Sequence, residues 1–219
     1  MKEMIRLKGG DRMKRIDMDS WERREIYRFF SPLSDPFYAV SFRLDVTGLY
    51  DYCKSRELSF FLAMVYLVTQ AVNDTEAFLY TLDGGEVCML ERREPSFTDR
   101  RAGEKYFHIV TMSCRGTLAQ FCAEAAERSR AQRVFIAPAA EGKHLLYLSC
   151  LPWLDLTALT NERDPDRDDA IPRIAWGRFT VDANGRRTLG MSVEVNHRFV
   201  DGADIGAFAA RLEELIAAL

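Results

Sequence analysis

No run of apolar residues in this sequence approaches the ~18 needed to cross a bilayer. The opening residues, MKEMIRLKGGDRMKR, also lack the apolar segment of a secretory leader. Charge of one sign is in short supply. The 30 basic and 33 acidic side chains leave a formal net charge of -3, which gives neither the basic footprint of a nucleic-acid binder nor a polybasic patch for membranes. The five cysteines (Cys53, Cys88, Cys114, Cys122 and Cys150) are an odd number with no C-x-x-C pair. That argues against a disulfide scaffold or a cysteine metal site and suits free, buried thiols in a reducing compartment. The expectation is a cytoplasmic protein that holds no metal. Histidine is scarce, at His108, His144 and His197, so any imidazole chemistry must come from these three.

What is present is enough apolar material for a core. The chain has 219 residues, 47% of them hydrophobic and 11% aromatic, which suits one large domain. Residues 1–16 are polar and basic and read as a flexible N-terminal arm, leaving a single domain over 17–219. Ser20 precedes Trp21-Glu22-Arg23-Arg24-Glu25 and reads as the N-cap of a short helix that stops near Pro32. Period-two alternation through Tyr38, Val40, Phe42 and Leu44 predicts a strand. Ser59 should open a helix over 60–73 that is apolar nearly all round. Strands are expected near 79–82, 87–90, 106–112 and 145–150, with an amphipathic helix beginning at Thr117. The segment NERDPDRDD over 161–169 reads as a charged surface loop. Two strands over 174–181 and 189–195 flank Asn184-Gly185, a type I′ hairpin signal. A closing helix carries Ile205, Phe208, Leu212 and Ile216. Strands and helices mix without regular βαβ alternation, which predicts an α+β fold with a large mixed β-sheet flanked by helices.

The most informative segment is Asn196-His197-Arg198-Phe199-Val200-Asp201-Gly202. A histidine just past a strand end, followed by a tight turn, can be held rigid while its ring reaches a cleft, and an imidazole pKa of ~6.5 suits proton abstraction near neutrality. An acid four residues later could orient the ring or fix the loop. On spacing alone, a core histidine beside a helix-capping aspartate explains the segment as well. Ser149 by itself reads as a small packed strand residue, Arg23 as a surface charge, and Trp153 beside Pro152 as core. His108 reads as a half-buried strand residue and His144 as an exposed one.

The wider sequence resembles the chloramphenicol acetyltransferase family from about Asp17 to the C-terminus. The resemblance is carried by Trp21-Glu22-Arg23-Arg24-Glu25, the stretch Val65 to Asn73, Pro95-Ser96-Phe97-Thr98, Leu148-Ser149-Cys150-Leu151-Pro152-Trp153, and Ser192-Val193-Glu194-Val195-Asn196-His197 with Asp201-Gly202. It implies an acyltransferase that moves acetyl from acetyl-CoA to the hydroxyl of a small alcohol, chloramphenicol or another. It also implies a cytoplasmic homotrimer with active sites between subunits. By that resemblance His197 is the general base and Ser149 donates to the oxyanion. Asp201 ion-pairs with Arg23 and holds the loop, and Trp153 lies near the CoA channel. His197 should then face Ser149 of a neighbouring subunit.

Several positions depart from the family. Asn196 stands where a second histidine is usual. Phe30 replaces a pocket tyrosine and Ala175 a threonine associated with a bound water. Tyr38 and Leu159 fall at pocket-lining positions but differ in kind. The resemblance thus implies a retained catalytic set beside an altered acceptor wall of Phe30, Tyr38, Leu159 and Ala175. The segment around His197 is also similar to the signature of dihydrolipoamide acyltransferases, and a trimer that binds CoA or another small molecule without catalysis is the rival from a different class.

Overall fold

The structure is a computed structural model that describes residues 4–6, 12–101, 103–137, 142–163 and 169–219. In chain order the elements are β1 (Met4–Arg6), β2 (Arg12–Arg15), α1 (Arg24–Phe30), β3 (Phe37–Asp45), α2 (Thr47–Ser55), α3 (Phe60–Asn73) and a 3-10 turn (Glu76–Leu79). There follow β4 (Tyr80–Asp83), β5 (Glu86–Leu90), β6 (Glu94–Asp99), β7 (His108–Thr111), α4 (Leu118–Ala131) and β8 (Leu145–Leu151). The chain closes with β9 (Arg173–Gly177), β10 (Thr180–Val181), β11 (Arg187–Asn196) and α5 (Gly202–Ala217). The strands form two sheets. A four-stranded one runs β1-β2-β5-β4, and a seven-stranded one runs β3-β11-β9-β8-β6-β7 with β10 beside the start of β11. β6, β8 and β9 are mutually parallel and the other pairs are antiparallel, so the large sheet is mixed, as expected.

The core lies between the large sheet and the helices. α3 sits at its centre and packs against α4 and α5. Nine of its residues are buried, and each large apolar one contributes roughly 1.5–3 kcal/mol relative to exposure. Its start is set by Ser59, whose hydroxyl accepts from the Leu62 amide. α4 begins as read from Thr117, which forms a capping box with Gln120. Arg93 is wholly buried and donates to five backbone carbonyls, those of Phe78, Tyr80, Lys143, Leu145 and Ala170. It ties the small sheet to the start of β8, with no ion-paired carboxylate at its head among the described residues.

Four expectations are corrected. Part of the expected arm over 1–16 is sheet: β2 pairs with β5, and Met13 packs with Cys88 and Leu90. The remainder of that arm, at 1–3 and 7–11, lies outside the described residues. Ser20 does not cap α1. Its hydroxyl turns back to Asp17, and Arg23 occupies the N-cap without capping the helix through its side chain. The β10–β11 turn is not type I′, because only Gly185 has positive φ. Asp182 instead accepts from the amides of Asn184 and Arg186 and stabilises a longer turn. The charged segment 161–169 is not all surface: the side chains of Arg163 and Asp169 are 8% and 12% exposed and form ion pairs. Residues 164–168 of that segment lie outside the described residues.

Candidate active site

His197 follows β11 directly, and its place is fixed by backbone bonds. Its amide donates to the Pro36 carbonyl at 2.8 Å, while the Phe199 and Val200 amides both turn back to the Asn196 carbonyl. Asn196, nearly buried, spans the turn. Its Nδ2 donates to the Asp169 carbonyl, and its Oδ1 accepts from the backbone and Nε of Arg198. The His197 ring lies against Phe30, with centroids 3.9 Å apart, and against Tyr38 at 4.2 Å. Desolvation in this aromatic setting lowers the His197 pKa, with the Asp201 charge acting the other way. The ring is therefore held neutral at pH 7, with a lone pair to accept a proton. Burial, helped by Asp201 and Asp204, pushes the Tyr38 phenol up to about 12, and its hydroxyl donates to the Val200 carbonyl.

Asp201 caps α5 through the amides of Ala203 and Asp204, and Asp204 returns a bond to the Asp201 amide. Arg23 closes the arrangement. It reaches Asp201 at 3.1 Å, but it also grips both oxygens of Asp204, at 2.6 and 3.2 Å. Burial opposes ionisation of Asp201, yet the two amides and the Arg23 guanidinium outweigh it and hold the carboxyl below its ordinary value. Asp204 was not foreseen. Its signal was the D-x-x-D spacing of a capping box at the start of the last helix.

Ser149 lies on β8, and sheet register determines its company. Across the face turned away from the core, Ser149 stands opposite Ala175, Ala175 opposite Ser192, and Ser192 opposite Ser41. The parallel register of Phe97 with Leu148 brings Thr98 beside Ser149, and the Thr98 hydroxyl lies 3.5 Å from the Ser149 hydroxyl. One residue pair along, Ser96, Tyr147, Arg173 and Glu194 form a second polar row. Phe97, Leu148, Ile174 and Val193 point the other way into the core. The segment 152–163 lies over the polar face, where the Ser192 hydroxyl donates to the Leu159 carbonyl at 2.6 Å. Gly177 and Gly190 admit it: a Cβ on Gly190 would fall 1.7 Å from the Leu156 carbonyl oxygen.

Two clefts meet at Ser149 and share Thr98, Phe107 and Asn161. One, of about 550 Å³, runs along Tyr147, Arg163 and Arg173. The other, of about 710 Å³, runs past Arg100, Lys105, Leu159 and Trp153. Trp153 is 61% exposed, with the Arg100 guanidinium 4.9 Å from its ring. Of the sequence-selected residues, Phe30, Tyr38, Asp201 and Arg23 gather at His197, and Leu159 and Trp153 gather at Ser149. Ala175 is buried between Ser149 and Ser192. The two groups do not meet within one chain. His197 lies five residues beyond Ser192, which is two strands from Ser149, so strand spacing separates them by on the order of 15–20 Å.

All five thiols have their pKa values raised by burial, and that of Cys150, next to Ser149, is pushed up to about 12. They are not poised as thiolate nucleophiles. His108 is buried, with Nε2 3.0 Å from the Ser129 hydroxyl, which donates to Asp99. His144 is half-buried rather than exposed. Among the described residues no cluster of metal-ligating side chains occurs, and no helix is long and apolar enough to cross a membrane.

The family model "Chloramphenicol acetyltransferase" matches residues 12–213. Chloramphenicol acetyltransferase 3 of Escherichia coli is 23% identical over 204 residues, covering 92% of this chain and 95% of its own. Among solved structures, a chloramphenicol acetyltransferase superposes with a TM-score of 0.86 at 23% identity, covering 93% of this chain and 99% of that one. A dihydrolipoamide acetyltransferase of Azotobacter vinelandii superposes with a TM-score of 0.66 at 18% identity, covering 88% and 85%.

Proposed function

The chain belongs to the chloramphenicol acetyltransferase family and is an acyltransferase, and from that premise we propose that it transfers acetyl from the thioester of acetyl-CoA to the hydroxyl of a small alcohol. The observation that carries this reading is the junction of two clefts at Ser149. A two-substrate transfer needs both reactants to meet in line at a polar group. The cleft with Trp153, Arg100, Lys105 and Leu159 suits the anionic, adenine-bearing co-substrate, and the cleft along Tyr147 suits the acceptor, with buried Ala175 next to Ser149 beneath it.

In this reading neutral His197 removes the acceptor's proton as its oxygen attacks the thioester carbon, which contributes ~10²–10⁴ in rate. Ser149 donates a hydrogen bond to the oxyanion that forms, worth roughly 10²–10³. Collapse breaks the C–S bond and the proton passes from the imidazolium to the departing thiolate, giving an acetate ester and the CoA thiol. Phe30 and Tyr38 keep the imidazole neutral and oriented. Arg23 and Asp201 brace the turn and carry no proton.

Because His197 and Ser149 are far apart in one chain, the reading requires a second copy to complete each site. Exposed Phe29 adjoins Phe30 at the histidine end, and exposed Phe107 and Phe135 line the acceptor cleft. Apolar side chains so placed are suited to subunit contact. A ring of three identical heterologous contacts, repeating His197 against the next Ser149, gives a homotrimer, and the chain's five free thiols suit the reducing cytoplasm.

The test is release of free thiol from acetyl-CoA across a panel of alcohols that includes chloramphenicol. Alcohol-dependent release with ester formation is expected. Binding of acetyl-CoA without release on any alcohol would replace this reading with that of a non-catalytic binder.

A further inference from the structure

The 550 Å³ cleft at Ser149 has two unlike walls. One is apolar, with Phe107 and Phe135 packed edge to face. The other carries two guanidiniums that are not equivalent. Arg163 is bonded at each of its three nitrogens. Its Nε lies 2.6 Å from Glu194, its Nη1 lies 2.7 Å from Asp169, and its Nη2 donates to the Ile171 carbonyl. Arg173 lies 5.7 Å from the centre of the Tyr147 ring, and its one hydrogen-bonded ion pair among the described residues is a share in Asp169, through Nη2 at 3.2 Å to the same oxygen that Arg163 holds more closely. Its Nε is buried with no hydrogen-bond partner among the described residues. Burial and the nearby Arg163 charge both act against its cation. Three carboxylates favour its cation: Asp169 and Glu194, both already held by Arg163, and Glu162, which is exposed so that its field is screened by water.

Buried guanidiniums ordinarily have their donors matched by acceptors. Here the register that pairs Arg173 with Tyr147 on the strand of Ser149 brings a poorly matched one to the acceptor cleft. We propose that Arg173 selects an acceptor alcohol that also bears a carboxylate, a hydroxy acid with an apolar body that lies against Phe107 and Phe135. One partly satisfied guanidinium matches one carboxylate, whereas a phosphate dianion calls for more positive charge than this wall supplies. The inference rests on the acetyl-transfer reading above, because it assigns this cleft to the acceptor.

The experiment compares kcat/KM for thiol release with an aromatic hydroxy acid and with its primary amide, in wild type, Arg173→Met and Arg173→Lys. The wild type should favour the acid by about 10- to 100-fold, the range of one charge-assisted hydrogen bond. Arg173→Met should bring the ratio to unity or below, and Arg173→Lys should retain a preference for the acid. Each ratio is taken within one protein, so a change in the folded fraction cancels. Should Arg173→Met fail to fold, the ratios of wild type and Arg173→Lys decide. Equal rates on acid and amide in the wild type, or a preference that survives in Arg173→Met, overturns the proposal. Turnover of neutral alcohols without preference for acids overturns this inference alone, and no turnover of any alcohol overturns both readings.

Discussion

Around His197 the contacts come from four short pieces of chain: the turn after β11, the first turn of α5, α1 with Arg23 before its start and Phe30 at its end, and the start of β3. Around Ser149 they come from sheet register. Thr98, Ala175, Ser192 and Arg173 arrive from β6, β9 and β11 and are brought together only when the strands pair. One end is a braced turn with aromatic walls, and the other is a polar face under a strap of chain. The first sets a proton affinity by desolvation, and the second offers donors at fixed positions. The proposed reaction needs both, and the 15–20 Å between them in one chain makes their meeting a property of the assembly.

The most severe way to break the comparison is to remove one end at a time. His197→Ala should lose ~10²–10⁴ of kcat/KM, and Ser149→Ala roughly 10²–10³, mainly in kcat. Co-assembly of the two variants should restore part of the activity. A site that takes His197 from the Ser149→Ala copy and Ser149 from the His197→Ala copy is intact. Mixed oligomers no more active than the two variants alone would place both residues in one chain's site and remove the argument for a shared one.

The two ends were not equally legible. The histidine end was readable because its signals are local: a strand end, a histidine, then an N-capping aspartate and an apolar helix face. Even there Asp204 escaped, since Arg23 could be matched to only one of the two carboxylates by resemblance. The serine end was legible only as a few quoted residues. Nothing in Pro95-Ser96-Phe97-Thr98 announces a strand. The first four residues of β6, Glu94 to Phe97, are buried on both faces, so the alternation that marked β3 is missing. α2 was missed because no side chain caps it at Val46, and the Asp45 carboxylate that accepts from the Thr47 amide reads as the last residue of a strand. The ion pairs of Arg163 and Asp169 with and beside Glu194 were hidden in a segment whose composition reads as solvated loop.

The strap over the serine end sharpens the contrast next. Gly190→Ala would drive a methyl into the Leu156 carbonyl, and relief requires the strap to lift. Overpacking of this kind costs about 1–3 kcal/mol or more, which is roughly 2–4 °C of Tm per kcal/mol at this chain length. Gly48→Ala in α2 is the control, because its added methyl meets nothing closer than 3.7 Å. The control should hold or raise Tm, since alanine favours the helix; an unchanged Tm in Gly190→Ala would mean the strap does not rest on β11.

The smallest expected effect lies at the histidine end and concerns charge alone. Asn caps helices as well as Asp, so Asp201→Asn keeps the bonds to the Ala203 and Asp204 amides, and Arg23 retains its grip on Asp204 at 2.6 Å. What goes is a negative charge that raises the His197 pKa against the larger lowering by burial. The imidazole should then lose its proton at a still lower pH. A general base works in its neutral form, so activity is lost as pH falls through its pKa, and a lower pKa moves that acid limb to lower pH. The profile of kcat/KM against pH, which reports the free enzyme, should therefore shift its acid limb downward with little change at its plateau. An acid limb that stays in place or moves upward would show either that the limb belongs to another group or that Asp201 acts on His197 through geometry alone.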